Sequence, residues 1–160
     1  MRVFVSLGTH PQQFNRLLKA IDKTIERGQI KGIVFAQTGN SDYPPRHFSF
    51  EKFLAPTEFS AEFSKADVII SHGGAGAIIH ALQFKKPLII VPRLKKFGEH
   101  TDDHQLDLAK ALDERGKAIA VFNLADLPKA IEKAKKFSAE KKSEREQLVS
   151  RLAQFIEGEN

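Results

Sequence analysis

Apolar residues along the chain follow two alternating rhythms. Short unbroken runs, Val3-Phe4-Val5, Ile33-Val34-Phe35-Ala36, Val68-Ile69-Ile70 and Leu88-Ile89-Ile90-Val91, have the length and β-branched character of strands buried on both faces. Between them apolar residues recur at helical spacing, as in Phe14, Leu17, Leu18, Ile21 and Ile25, and glycine or proline marks most boundaries. Strands are expected at Arg2–Leu7, Ile33–Gln37, Val68–Ser71, Leu88–Val91 and Ala118–Phe122, with a short one at His47–Phe50. Helices are expected from Pro11 to Gly28, at Ser60–Ser64, 76–84 and 102–115, from the N-cap Asn123 to Lys136, and at about 143–157. In helix 102–115, Leu106, Ala109 and Leu112 face inward. Residues 41–58, with Pro44, Pro45 and Pro56, read as loop. Strands alternating with helices over short connections predict an α/β fold, a Rossmann-like, mainly parallel sheet flanked by helices. No repeat or linker interrupts it, so 1–160 is read as one domain.

Three predicted strand ends carry unusual residues: Gly8-Thr9-His10, His72-Gly73-Gly74 and Pro92-Arg93. In a parallel sheet these share one edge, and ligands bind outside the carboxyl ends of such strands. The stretch Ser71-His72-Gly73-Gly74-Ala75-Gly76 is the most informative, because it joins a buried strand directly to a helix. A helix N-terminus offers unpaired N–H groups and a positive dipole end, and missing side chains let a phosphate reach the backbone. Neither common glycine fingerprint fits: no Lys-Ser/Thr closes a P-loop, and the spacing is not G-x-G-x-x-G. A tight turn without ligand has the same local sequence; the convergence of three such ends favours the anion site.

Composition narrows the chemistry. The formal net charge is +5, and 13 Phe stand beside one Tyr and no Trp. A basic balance admits nucleic acid, an anionic membrane surface or a phosphorylated substrate. The scarcity of Tyr and Trp argues against base-stacking platforms, so no nucleic-acid partner is expected. The absence of cysteine removes disulfides, thiolate metal sites and a cysteine nucleophile. No apolar run approaches the ~20 residues of a membrane span, and residues 1–15 lack a signal-peptide pattern. A cytoplasmic protein is expected, held at any membrane by something else. His100 and His104 are spaced i,i+4, but no third ligand is evident, and no metal is expected.

Val3-Phe4-Val5 through Gly8-Thr9, Gln37-Thr38-Gly39, Ser71–Gly76, Pro92-Arg93 and Asp102-Asp103-His104-Gln105 occur in an order that resembles the nucleotide-sugar-binding half of family-28 glycosyltransferases of GT-B fold, in particular split enzymes. The resemblance covers about residues 3–115. It implies inverting transfer from a UDP-sugar to a lipid-linked acceptor with no obligatory metal or other cofactor. It also implies a membrane-associated partner subunit that supplies the acceptor half of the cleft.

Carried residue by residue, the resemblance implies that His72 and the amides of Gly73, Gly74, Ala75 and Gly76 face the donor diphosphate, approached also by Gly8 and Thr9. Asp103, His104 and Gln105 would read the sugar hydroxyls. Relatives place Glu at the position of His80, where it grips the ribose; an imidazole bonds one hydroxyl but cannot chelate two. His80 is either that ribose contact or a satisfied helix histidine. Arg93, Lys95 and Lys96 either pair with phosphate or lipid headgroups or form a solvated basic loop. Glu99 is a candidate catalytic carboxylate or a partner contact. The stripe Leu148, Leu152, Phe155 and Ile156 docks either on its own sheet or on the partner. The competing class is a nucleotide-sugar-binding regulatory or scaffold module without catalysis.

Overall fold

The structure, a computed structural model, describes residues 1–136; the expected helix at 143–157 lies outside them. Six strands, β1 (Arg2–Ser6), β2 (Ile33–Gln37), β3 (Ser49–Glu51), β4 (Val68–Ser71), β5 (Leu88–Ile90) and β6 (Ile119–Ala120), form one sheet in the order β3-β2-β1-β4-β5-β6. Every pairing is parallel. The chain starts in the middle, builds outward to β3, then crosses to the other side of β1. The carboxyl ends of β1 and β4 therefore flank the point where strand order reverses, and a crevice opens there.

The unbroken apolar runs are explained by helices on both faces. Val3, Val5, Val68, Ile70, Ile89 and Val91 point to one face, against α1 (Asn15–Glu26) and α5 (Leu127–Ala134). Phe4, Ile69, Leu88 and Ile90 point to the other, against α2 (Pro56–Lys65), α3 (Ala75–Gln83) and α4 (His104–Glu114). Much of the phenylalanine gathers on this second face. Phe4 meets Phe35, Phe59 and Phe63 with ring centroids 5.3–6.2 Å apart. Burying each such ring contributes about 1.5–3 kcal/mol, so this cluster anchors the wall from which α2 approaches the crevice.

Several boundaries differ from the sequence expectation for identifiable reasons. Helix α1 begins at Asn15 rather than Pro11, because the Phe14 N–H donates to Ser41 Oγ and the Asn15 N–H to Gln13 Oε1. Helix α2 is longer than expected and starts at Pro56, with Pro at its first position and Glu58 Oε2 accepting the Ala55 N–H. The strand expected at 47–50 is shifted to Ser49–Glu51. Asp22, buried in α1, accepts from Tyr43 Oη (2.7 Å) and from the N–H groups of Arg46 and His47, which pins the loop leading into β3. Asn123 caps as expected, with Oδ1 accepting the Ala125 N–H, but the element it caps is a 3₁₀ turn, Leu124–Asp126, that leads into α5. In α4, Ala109 and Leu112 are buried and Leu106 is half-exposed. Among the described residues no helix is long and apolar enough to cross a membrane.

Candidate functional site

The crevice beyond β1 and β4 is an open cleft of about 720 Å³. Its floor is the Gly8-Thr9 turn after β1 and the His72-Gly73-Gly74 turn after β4, and α2 and α3, packed on each other, wall it. A larger groove, about 850 Å³, runs along α1 beside the start of α5. Of the residues singled out from the sequence it holds Glu99 alone, whereas the cleft gathers Gly8, Thr9, His72, Gly74, Gly76 and His80.

His72 is 8% exposed and sits between two glycines. A Cβ on Gly8, whose φ of +69° already favours glycine, would lie 2.8 Å from the His72 Cε1. A Cβ on Gly74 would overlap the His72 Nε2. These two glycines are thus required by the imidazole itself. Gly73, at φ +93°, lets the chain turn into α3, and its N–H donates to Ser71 Oγ at 3.3 Å. Gly76 has open space around it, and the first-turn amides of Ala75, Gly76 and Ala77 have no carbonyl within the helix to accept them. They are the amides that the sequence reading expects to face an anion.

The His72 ring is fixed by a 3.3 Å contact from Nδ1 to the carbonyl oxygen of Ser6. A carbonyl only accepts, so Nδ1 carries the hydrogen, and Nε2 of the neutral ring is a lone pair beside the α3 N-terminus. Burial, and then the nearby Arg93 cation, push the His72 pKa down to about 4. The unliganded imidazole is neutral near pH 7.

His80 also lines the cleft. Its Nδ1 donates to the Gly76 carbonyl at 2.9 Å, and its ring packs on Phe59 and Phe63 with centroids 5.2 and 5.3 Å away. It is a satisfied helix histidine and a cleft residue at once, with Nε2 left as a single acceptor. Leu54, Pro56 and Phe59 complete this apolar wall and were not predicted. The Ala55-Pro56 start with Glu58 two residues on was the available signal for α2 there.

Two expectations are corrected. Arg93 does not reach into the cleft. It is 1% exposed, with NH1 within 3.1 Å of the carbonyls of Gln12, Gln13 and Glu99, and NH2 2.9 Å from that of Leu7. Its guanidinium clamps the ends of β1 and β5 together, and burial lowers its pKa to about 10. Its charge still acts on His72 from behind the floor. Glu99 is fully buried, and its carboxylate takes both Arg16 Nε and NH2 at 2.8 Å and the Leu94 N–H at 2.9 Å. That is a fold-holding ion pair; Glu99 is not placed to take a proton from an acceptor.

The 102–105 segment is not brought into the cleft lining. Asp103 Oδ1 accepts the Lys95 N–H, Gln105 Oε1 accepts the Arg93 N–H, and Asp102 Oδ1 accepts the N–H of His104 at the start of α4. The link to the cleft runs through His100, which stacks on His10 with centroids 4.5 Å apart and has Nδ1 3.1 Å from Asp102. His10 lines the cleft, and burial followed by His100 and Arg93 lowers its pKa. Among the described residues no group of three His, Asp or Glu side chains is arranged to hold a metal ion.

Comparison with known proteins gives the family of the chain. Residues 2–157 match the glycosyltransferase family 28 C-terminal domain. The human UDP-N-acetylglucosamine transferase subunit ALG13 is 31% identical over 123 residues, 71% of this chain and 10% of that protein. A UDP-N-acetylglucosamine--N-acetylmuramyl-(pentapeptide) pyrophosphoryl-undecaprenol N-acetylglucosamine transferase of Phocaeicola vulgatus is 34% identical over 78 residues, 49% of this chain and 20% of that one. The chain thus spans a small part of these relatives. Among solved structures, the solution structure of ALG13 superposes with a TM-score of 0.56 at 18% identity over 87% of each chain. Acinetobacter baumannii MurG superposes at 0.53 and 17% identity, over 96% of this chain and 49% of that one.

Proposed function

The chain belongs to the glycosyltransferase family 28 C-terminal domains and has the Rossmann-like fold of the C-terminal half of a GT-B enzyme, and we propose that it is the donor-binding subunit of an inverting UDP-sugar glycosyltransferase. The observation that carries this reading is the meeting of the α3 N-terminus, His72 and the Gly8-Thr9 turn at the β1/β4 switch point. There the unpaired amides of Ala75, Gly76 and Ala77 receive the diphosphate, with the helix dipole and the buried Arg93 charge favouring an anion. The ribose lies toward His80, whose Nε2 accepts one hydroxyl, against the wall of Leu54, Pro56 and Phe59. As the glycosidic bond breaks, charge builds on the departing diphosphate, and preorganised N–H donors stabilise it most at that moment. No metal is assigned a part.

We read the donor sugar as GlcNAc or another hexose and the acceptor as a lipid-linked glycan, in keeping with the names of the ALG13 and Phocaeicola relatives. Inverting transfer needs a base for the acceptor hydroxyl. With Glu99 locked to Arg16, that base is read as part of a membrane-associated partner subunit, which also supplies the acceptor wall and holds this subunit at the cytoplasmic face. Thermal unfolding with and without UDP-GlcNAc tests the donor site: a midpoint that rises with ligand concentration supports it, and no shift with any uridine nucleotide at millimolar concentration overturns it. The single acceptor that His80 retains favours a second reading, a nucleotide-sugar-binding module without catalysis. Transfer by the chain with its partner, undiminished by EDTA, decides against it.

A further inference from the structure

We propose that the nucleotide-sugar diphosphate enters the cleft together with one proton, held on His72 Nε2 between the α3 N-terminus and the phosphate. The inference rests on the donor-site reading and goes beyond it, because it specifies the charge state in which the site works. The geometry carries it. Nδ1 is committed to the Ser6 carbonyl, so the neutral ring turns a lone pair, not a hydrogen, toward the α3 N-terminus. A phosphate oxygen there would face that lone pair and be repelled. Moving the hydrogen to Nε2 without adding a proton would set the Nδ1 lone pair against the Ser6 carbonyl oxygen, which is also repulsive. Gly8 and Gly74 close on the ring from both sides, so it has no room to swing away. Only the imidazolium satisfies both neighbours, with Nδ1–H on the carbonyl and Nε2–H on the phosphate.

The surroundings explain why the proton arrives with the ligand. The groups acting on His72 are Arg93 behind the floor, His10 and His100 at the rim, and the Ser6 carbonyl; none of them is a carboxylate. Burial first, and then the Arg93 cation, keep the imidazole neutral before the ligand arrives. The diphosphate of a nucleotide sugar is a diester with two negative charges and no titrating proton near neutrality. It supplies the missing counter-charge, and an opposite charge at hydrogen-bond distance restores the imidazole's basicity. By linkage the complex then binds more protons than its free components, so affinity rises as pH falls.

The test is calorimetric titration of the full chain with UDP-GlcNAc at pH 6.0 in buffers of differing ionisation enthalpy, which counts protons taken up per ligand. The expected result is close to one proton, with affinity weakening toward tenfold per pH unit on the alkaline side. His72→Gln, whose amide donates without a proton, is expected to bind with an uptake near zero and little pH dependence, while His10→Asn keeps the uptake. Should His72→Gln not fold, ¹⁵N spectra of the wild-type imidazoles give the same answer: Nε2 changes from lone pair to N–H on ligand addition. Binding with no proton taken up, or uptake lost in His10→Asn and kept in His72→Gln, overturns this inference alone. Absence of binding at every pH overturns the donor site and the inference with it.

Discussion

The imidazole of His72 occupies the space that a Cβ on Gly74 would fill. The glycine after this strand therefore serves a side chain first and a ligand second. Gly74→Ala is expected to displace the ring or the turn and to destabilise the protein by about 1–3 kcal/mol. Gly76→Ala adds a Cβ into open space in the first turn of α3 and is expected to be neutral or to stabilise by up to about 1 kcal/mol. Chemical denaturation of the two variants separates them; equal effects would contradict the packing of His72 on Gly74.

Glu99→Gln tests the reassignment of that residue. It leaves Arg16 partly unpaired across a buried contact and is expected to cost about 3 kcal/mol or more of stability. Donor binding by the molecules that remain folded is expected to be unchanged. Full stability with lost transfer in the assembled enzyme would return Glu99 to a catalytic role.

The depressed pKa of His72 makes a prediction about acid. Well above pH 6.5 the residue is neutral folded and unfolded, and contributes no pH dependence. Between about pH 6.5 and pH 4 the unfolded chain binds a proton at this position that the native state does not, so stability falls as pH falls, by about 3 kcal/mol in all. Below about pH 4 both states are protonated and the effect levels off. Denaturant midpoints across this range are expected to show the slope in the wild type and a reduced slope in His72→Gln; identical slopes would contradict the assignment.

His80 joins the aromatic wall to the nucleotide. His80→Ala is expected to weaken UDP binding by about one hydrogen bond, on the order of 1 kcal/mol, and to leave inorganic diphosphate unaffected, because diphosphate has no ribose. Calorimetry with both ligands checks this. Equal losses for both would place His80 among the phosphate contacts, and no loss for either would leave it a packing residue on Phe59 and Phe63.

The parallel sheet and the glycine turn were legible in the sequence because their signals are local. Val68–Ser71 is a buried run followed at once by the residues that open α3, and no distant partner is needed to read it. What escaped depends on residues far apart in the chain. Arg93 looks like an anion contact until the carbonyls of Leu7, Gln12 and Gln13, about eighty positions earlier, are seen to take up its N–H groups. Glu99 looks like a free carboxylate until Arg16 is placed against it. The stacking of His10 on His100, the pinning of the 43–47 loop by Asp22 and the wall of Leu54 and Phe59 are likewise products of topology, which charge and periodicity do not encode.

The most direct test of the donor site is amide-resolved NMR of the full chain titrated with UDP-GlcNAc. The largest shifts are expected at Gly8 and Thr9, at His72 to Ala77 and at His80, with smaller ones along the α1 groove around Lys19 and Lys23. Shifts centred on that groove, or none at millimolar ligand, would contradict the donor site.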